Sequence, residues 1–222
     1  MRLVLLGPPG AGKGTQGQRL AAHYGVPHVA TGDIVRDHIA RRTEFGRKVE
    51  AAIAAGNFAP DADIIYWVRR RLAEPDARHG YILDGFPRDL AQAGLWDAQT
   101  RDEHAPLDAV VELVIAADEL IARLSGRLIC PVCDTSYHVT QRPPRTPGRC
   151  DNDGAVLVRR PDDEPEAVRR RLRIYEDVTR PLHDYYRAQG LLYPVEAGGE
   201  ADSVTERIVF CLQDLKSAAV GV

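Results

Sequence analysis

Long apolar runs, an excess of one charge and a paired set of cysteines are all missing from this 222-residue chain. No hydrophobic stretch approaches the ~20 residues that a bilayer-spanning helix needs. Acidic residues number 32 and basic ones 29, so no global basic field points to nucleic acid. Lysine is scarce: of 29 basic residues only Lys13, Lys48 and Lys216 are lysine, which leaves 26 arginines. Four cysteines (Cys130, Cys133, Cys150 and Cys211) are too few and too clustered for a disulfide scaffold. Three of them fall close together, which suits a metal clip in a reducing compartment. No repeat, low-complexity tract or convincing histidine–carboxylate pair stands out. Met1 to Leu6 is too short for a signal peptide and runs straight into glycines, so it reads as a strand of a cytoplasmic globular protein.

What is present is an average composition, 44% hydrophobic and 27% charged, over a length of about one and a half domains. Apolar runs alternate with helical patterns. Leu3–Leu6, Val26–Ala30, Tyr81–Asp84, Val110–Ile115 and Leu191–Val195 read as strands. Residues 14–24, 33–42, 44–55, 118–127, 164–188 and 202–217 read as helices, as does the stretch opened by Asp61 and Asp63. In the last helix Val204, Ile208, Leu212 and Leu215 share one side, and Cys211 lies with them as a core residue. Gly56 is placed to end the 44–55 helix in the left-handed conformation. This alternation predicts a doubly wound parallel α/β sheet with helices on both faces. Between Leu128 and Asp162 the helical period disappears, leaving prolines, three cysteines and short β-like pieces. That stretch reads as an inserted half-domain.

Gly7-Pro-Pro-Gly10-Ala11-Gly12-Lys13-Gly14-Thr15 follows the first strand and opens the first helix. It is a phosphate-binding P-loop with one glycine inserted before the hydroxyl residue. Glycines let successive N–H groups curl toward phosphate oxygens, the helix adds its positive end, and Lys13 reaches the β- and γ-phosphates. Asp84 ends a second strand at the same sheet edge, where a carboxylate can hold the hydration shell of Mg²⁺.

These segments, with Thr31-Gly32-Asp33, Asp84-Gly85-Phe86-Pro87-Arg88, Gln92 and the cysteine insertion, resemble the adenylate kinase family in its long-lid, zinc-carrying form. The resemblance runs through essentially the whole chain in order. It implies the reaction MgATP + AMP ⇌ 2 ADP, catalysed by a monomer, with no nucleic acid or membrane partner. It also implies a P-loop core (1–29, 60–125, 164–222), a small helical AMP-binding flap (30–59) and a small β-rich lid (126–163). Thr31, Arg36, Arg88 and Gln92 would hold AMP, with Asn57, Phe58, Ala59, Gly85, Phe86 and Pro87 around it. Arg123, Arg127, Arg160 and Arg171 would converge on the transferring phosphoryl group, with Arg159 a neighbouring competitor for Arg160. Ser136, Tyr137 and the loop at Gly199 would border the ATP nucleoside. The nucleophile, a phosphate oxygen, is already ionised, so positioning and fixed cations replace a general base. Guanidinium forks suit that task because they stay charged when desolvated.

Cys130-Pro-Val-Cys133 and Cys150-Asp-Asn-Asp153 have the C-x₂-C…C-x₂-X spacing of a structural zinc site. Asp153 fills the fourth place, with Asp151 and His138 as rivals. A sister kinase with another acceptor base, and a zinc-ribbon nucleotide switch that binds nucleic acid, are the competing readings. Thr31 and Gln92 favour adenine over the first, and the near-neutral charge disfavours the second.

Overall fold

The computed structural model describes residues 1–218, with side chains through residue 213 except Pro161. Leu215, the last position of the expected apolar stripe, therefore lies outside the described side chains. The hydrophobic run at the start forms β1 (Arg2–Leu6). β2 (His28–Ala30) and β3 (Tyr81–Asp84) lie on one side of it in the sheet. β4 (Ala109–Val114) and β7 (Leu192–Glu196) lie on the other. The order is β2-β3-β1-β4-β7, and every pair is parallel. Leu5 lies opposite Asp84 in the register, and so does Ala30. The first three strands therefore end level, which brings Gly7, Thr31 and Asp84 to one carboxyl edge, where α/β ligands bind.

Alternation along β1 sends its side chains to two cores. Leu3 and Leu5 pack with Leu20 of α1 (Lys13–Tyr24) and with Val204, Ile208 and Leu212 of α9 (Ala201–Ala218). Cys211 packs against this core while staying partly exposed. Val4 and Leu6 face a second core built from α2 (Thr31–Ala40), α3 (Glu44–Ala54), α4 (Asp61–Leu72) and later helices. Val35, Phe45, Val49, Ile64 and Val68 are its buried members from these three. Gly56 adopts φ 80° just beyond α3, as its position predicts.

Two differences from the sequence reading have physical causes. α5 (Leu90–Asp102) has no apolar stripe, because its buried side carries Gln92, Asp97 and Thr100 beside Ala93 and Trp96. The Asp89 carboxylate caps it by accepting from the Gln92 N–H at 2.7 Å. The single helix expected over 164–188 is instead α7 (Pro165–Ile174), a π-helical turn (Tyr175–Thr179) and α8 (Leu182–Ala188). Pro181 offers no N–H and crowds the preceding turn. The wide turn resolves this, with the Arg180 N–H donating to the Tyr175 carbonyl at 2.8 Å.

A further correction concerns histidine–carboxylate pairs, of which the fold makes two among the described residues. His183 of α8 lies 2.7 Å from the buried Glu112 of β4, and His28 lies 3.6 Å from Asp84. Neither pair is close in sequence, so no local pattern announced them. After α6 (Ala117–Ser125), β5 (Arg127–Ile129) pairs antiparallel with β6 (Ser136–His138). Their small core holds Cys130, Tyr137, Cys150 and Leu157.

Candidate active site

One cavity of about 790 Å³ opens at the carboxyl edge of the sheet, lined by residues spread from Leu5 to Val204. The phosphate loop forms its floor. Gly10 sits at φ +90°, and a Cβ there would lie 2.7 Å from Leu124 Cγ, so only glycine closes this turn. Gly12, Gly14 and Thr15 follow it along the cavity wall with Ala11. The Lys13 ammonium donates to the Gly7 and Pro8 carbonyls at 2.7 and 3.0 Å. Burial lowers its pKa to about 8, Asp84 opposes that, and the charges of Arg171, Arg88 and Arg127 add to it. Burial pushes the Asp84 carboxyl upward, but His28 and Lys13 outweigh it and leave the group below its ordinary range. Asp84 is therefore ionised beside the loop, a hard oxygen donor suited to the water shell of Mg²⁺.

Across the cavity stand five guanidinium groups. Arg88 lies 4.1 Å above the Phe58 ring and donates from Nε to the Gly85 carbonyl at 2.8 Å. Arg36 is paired with Asp33 and its Nε is buried without a partner. Arg127 and Arg171 share the Asp163 carboxylate, which is only 3% exposed, and Arg171 also meets Asp162 at 3.0 Å. Arg160 lines the cavity with its Nε buried and unpaired, whereas Arg159 is exposed. Burial, reinforced by like charge from Arg171, lowers Arg88 to about 10. Burial and the charges of Arg36 and Arg127 do the same to Arg160. These groups hold a concentrated positive field without losing their protons at neutral pH.

The expected convergence of arginines divides here. Arg123 is tied to Glu119 at 2.6 Å and to the Ala197 and Gly199 carbonyls at 2.8 and 3.3 Å. It stands by the phosphate loop at the Gly199 side, away from the Asp162–Asp163 group. Ser136 and Gly199 line the same cavity. Tyr137 does too, but its hydroxyl accepts from the Asp151 N–H at 2.8 Å and contacts Cys150, so it belongs to the small β core. On the opposite side Thr31 donates to the Gly85 carbonyl at 2.8 Å. Gln92 accepts from the Arg88 N–H at 2.9 Å and donates to Asp61 at 2.6 Å. Asn57, Phe58, Ala59, Gly85 and Pro87 line this side. Phe86 does not: it is fully buried and packs edge-on against Trp96, with ring centroids 5.2 Å apart.

Beyond the residues the sequence suggested, the site contains His28, Glu119, Asp162 and Asp163. The two aspartates follow Arg160 almost directly, so the basic pair and acidic pair flanking Pro161 were the available signal. His28 and Glu119 carried none.

In the β-rich region the ligand atoms of Cys130, Cys133, Cys150 and Asp153 all lie within 4.8 Å of one another. Cys133 and Cys150 sulfurs are 3.5 Å apart, and Asp153 Oδ2 is 3.2 Å from Cys130 Sγ. Bonds of about 2.3 Å to sulfur and 2.1 Å to oxygen imply tetrahedral edges of roughly 3.6–3.8 Å. The donor set therefore fits zinc with little adjustment. N–H groups of Val132 and Cys133 point at Cys130 Sγ and that of Asn152 at Cys150 Sγ, each at 3.4–3.5 Å. The rivals lie elsewhere. Asp151 accepts from the Arg145 N–H, and His138 is engaged with the Ala122 carbonyl and the Thr140 and Gln141 N–H groups.

A P-loop, an ionised strand-end aspartate and facing arginines in one α/β cavity define a P-loop nucleotide-binding phosphotransferase. Residues 5–191 match the family profile described as adenylate kinase. The chain is similar to an adenylate kinase of Archaeoglobus fulgidus, 42% identical over 98% of this chain and 100% of that protein. It is also similar to those of Acidothermus cellulolyticus and Salinispora tropica, 49% and 48% identical over 96% of this chain and 98% of each. The chain belongs to the adenylate kinase family.

Proposed function

We propose that the cavity brings MgATP and AMP together for reversible transfer of the γ-phosphoryl group, giving two ADP, with the following division of labour. The backbone from Gly10 to Thr15 and the Lys13 ammonium hold the ATP phosphates. Arg36 and Arg88 grip the AMP phosphate, and Arg127, Arg160 and Arg171 surround the group in transit. Arg123, Ser136, Tyr137 (through its backbone) and Gly199 border the ATP nucleoside. Thr31, Gln92, Asn57, Phe58, Ala59, Gly85 and Pro87 border AMP, while Phe86 braces that wall from behind. Asp84 would hold Mg²⁺ through its water, and the ion, arriving with ATP, supplies charge neutralisation at the phosphoryl oxygens. No side chain has to remove a proton, because the attacking AMP oxygen is already an anion.

The flap (30–59) and lid (126–163) move against the core (1–29, 60–125, 164–222) and exclude water, which would otherwise waste ATP. Cys130, Cys133, Cys150 and Asp153 hold a structural Zn²⁺ in the lid. With four protein ligands the ion has no open position for chemistry. The enzyme works as a cytoplasmic monomer on ATP, AMP and ADP, with neither nucleic acid nor membrane partner. Among the described residues no helix is long and apolar enough to cross a membrane.

The observation that carries this reading is a single cavity shared by the phosphate loop and a second, arginine-rich phosphate site. A coupled assay should detect ADP from ATP plus AMP, with CMP, UMP and GMP much poorer acceptors. A better acceptor among those three would move the assignment to a sister kinase. Absence of ADP with every acceptor would overturn it.

A further inference from the structure

α1 carries a glycine in its interior, Gly17, where alanine would favour the helix. Its reason is a neighbour from another element. A Cβ at Gly17 would lie 2.3 Å from His28 Nε2 and 2.4 Å from Cδ2 of the same ring. The His28 side chain is one-tenth exposed, lines the cavity, and has its Nε2 buried with no hydrogen-bond partner. That nitrogen is 3.6 Å from Asp84 Oδ2, slightly too far for a hydrogen bond and close enough for one to form on a small adjustment. The other flank of the same carboxylate oxygen is open backbone, since a Cβ at Gly14 would sit 3.7 Å from Oδ2. His28 is thus the ring held beside Oδ2, with the Lys13 ammonium adding a charge near the same carboxylate, and α1 gives up a side chain to admit that ring.

We infer that His28 is a positioning residue for phosphoryl transfer: its Nε2–H engages Asp84 Oδ2 and turns the other oxygen toward the Mg²⁺ water shell, with Gly17 as its seat. The inference rests on the proposed role of Asp84. His28 touches neither nucleotide nor metal. Its effect is to keep the carboxylate in one orientation, so that no rotational freedom is lost when MgATP binds.

The test compares Asp84→Asn, His28→Ala, Gly17→Ala and the double variant Gly17→Ala/His28→Ala in the full chain. Binding of a non-hydrolysable ATP analogue with and without Mg²⁺ is measured by calorimetry, alongside kcat, KM for AMP and thermal melting. His28→Ala should reduce the Mg²⁺-dependent gain in analogue affinity about three- to tenfold and lower kcat similarly, with KM for AMP unchanged. Gly17→Ala should do the same by displacing the ring, and the double variant should be no worse than His28→Ala alone. Additive losses from the two sites would overturn the seating relationship. A His28→Ala protein that melts earlier but keeps its Mg²⁺-dependent gain would reduce His28 to packing. An Asp84→Asn protein that keeps that gain would remove the role of Asp84 itself, which separates the failure of that reading from failure at His28.

Discussion

Replacing Asp163 with asparagine removes the charge that two guanidinium groups share. Its carboxylate is 3% exposed and meets Arg127 Nε at 2.7 Å and Arg171 Nη1 at 3.3 Å. At an effective dielectric near 20 each such contact is worth about 4 kcal/mol before desolvation is subtracted. Deleting one partner of a fully buried pair costs about 3–5 kcal/mol. Both arginine side chains here are about one-fifth exposed, and Arg171 keeps Asp162 at 3.0 Å. Screening and that second acid reduce the expected loss to about 2–3 kcal/mol. With unfolding entropy of about 2.1 cal/mol/K per residue, this corresponds to a fall in Tm of about 5 °C. The fall should depend on ligand. Nucleotide phosphates supply the charge that Asp163 supplied, so a saturating bisubstrate dinucleotide should close most of the gap between variant and wild type. Scanning calorimetry with and without the dinucleotide reads both numbers. A variant as stable as wild type when free, or a deficit the dinucleotide leaves intact, would refute the reasoning.

Zinc should copurify at about one ion per chain, Asp153→Ala should lose it to a mild chelator, and Asp153→Cys should retain it longer; elemental analysis after dialysis decides all three. The pH behaviour of Lys13 follows from its pKa of about 8. Between there and its ordinary 10.5 the folded chain has released a proton that the unfolded chain keeps, so this group adds to stability as pH rises through that window. Phosphate restores the ammonium, so affinity for an ATP analogue should weaken above about pH 8, by up to tenfold per pH unit, while AMP affinity stays flat. Calorimetric titration from pH 7.5 to 9.5 checks this, and equal slopes for the two ligands would refute it.

The elements that sequence made legible are those whose burial is apolar and periodic. β1, β3 and β4 announce themselves because both faces of the sheet are covered, and α4 because Ile64 and Val68 fall on one side. α5 stayed invisible because its inward face is occupied by Gln92, Asp97 and Thr100, the first two satisfied by partners from other elements and Thr100 by the Asp97 carbonyl of its own helix. The Asp97 carboxylate, for example, accepts from Tyr185 of α8 at 2.9 Å. Likewise the Glu112–His183 contact spans 71 positions. A hydrophobicity pattern records transfer from water. It has no means of recording a hydrogen bond between residues that only the fold brings together.

The same limit, with the opposite sign, governs the arginines. Their number in the sequence says nothing, since Arg69 and Arg70 are plain surface. Lining the cavity is what sets Arg36, Arg88, Arg127, Arg160 and Arg171 apart from that surface, as it does Arg123, and there burial explains the choice of residue. Burial takes Arg88 and Arg160 from 12.5 to about 10. The equivalent pressure takes Lys13 from 10.5 to about 8. At pH 7.5 a group of pKa 10 remains almost wholly charged, whereas one of pKa 8 is roughly three-quarters charged. A second cluster of lysines facing the P-loop would therefore neutralise one another on assembly, and the field needed to join two polyanions would fall just where it must be strongest. One lysine is tolerated because Asp84 stands beside it. The remaining cations have to be arginine, and Asp33, Asp162 and Asp163 hold three of them apart until phosphate takes over that task.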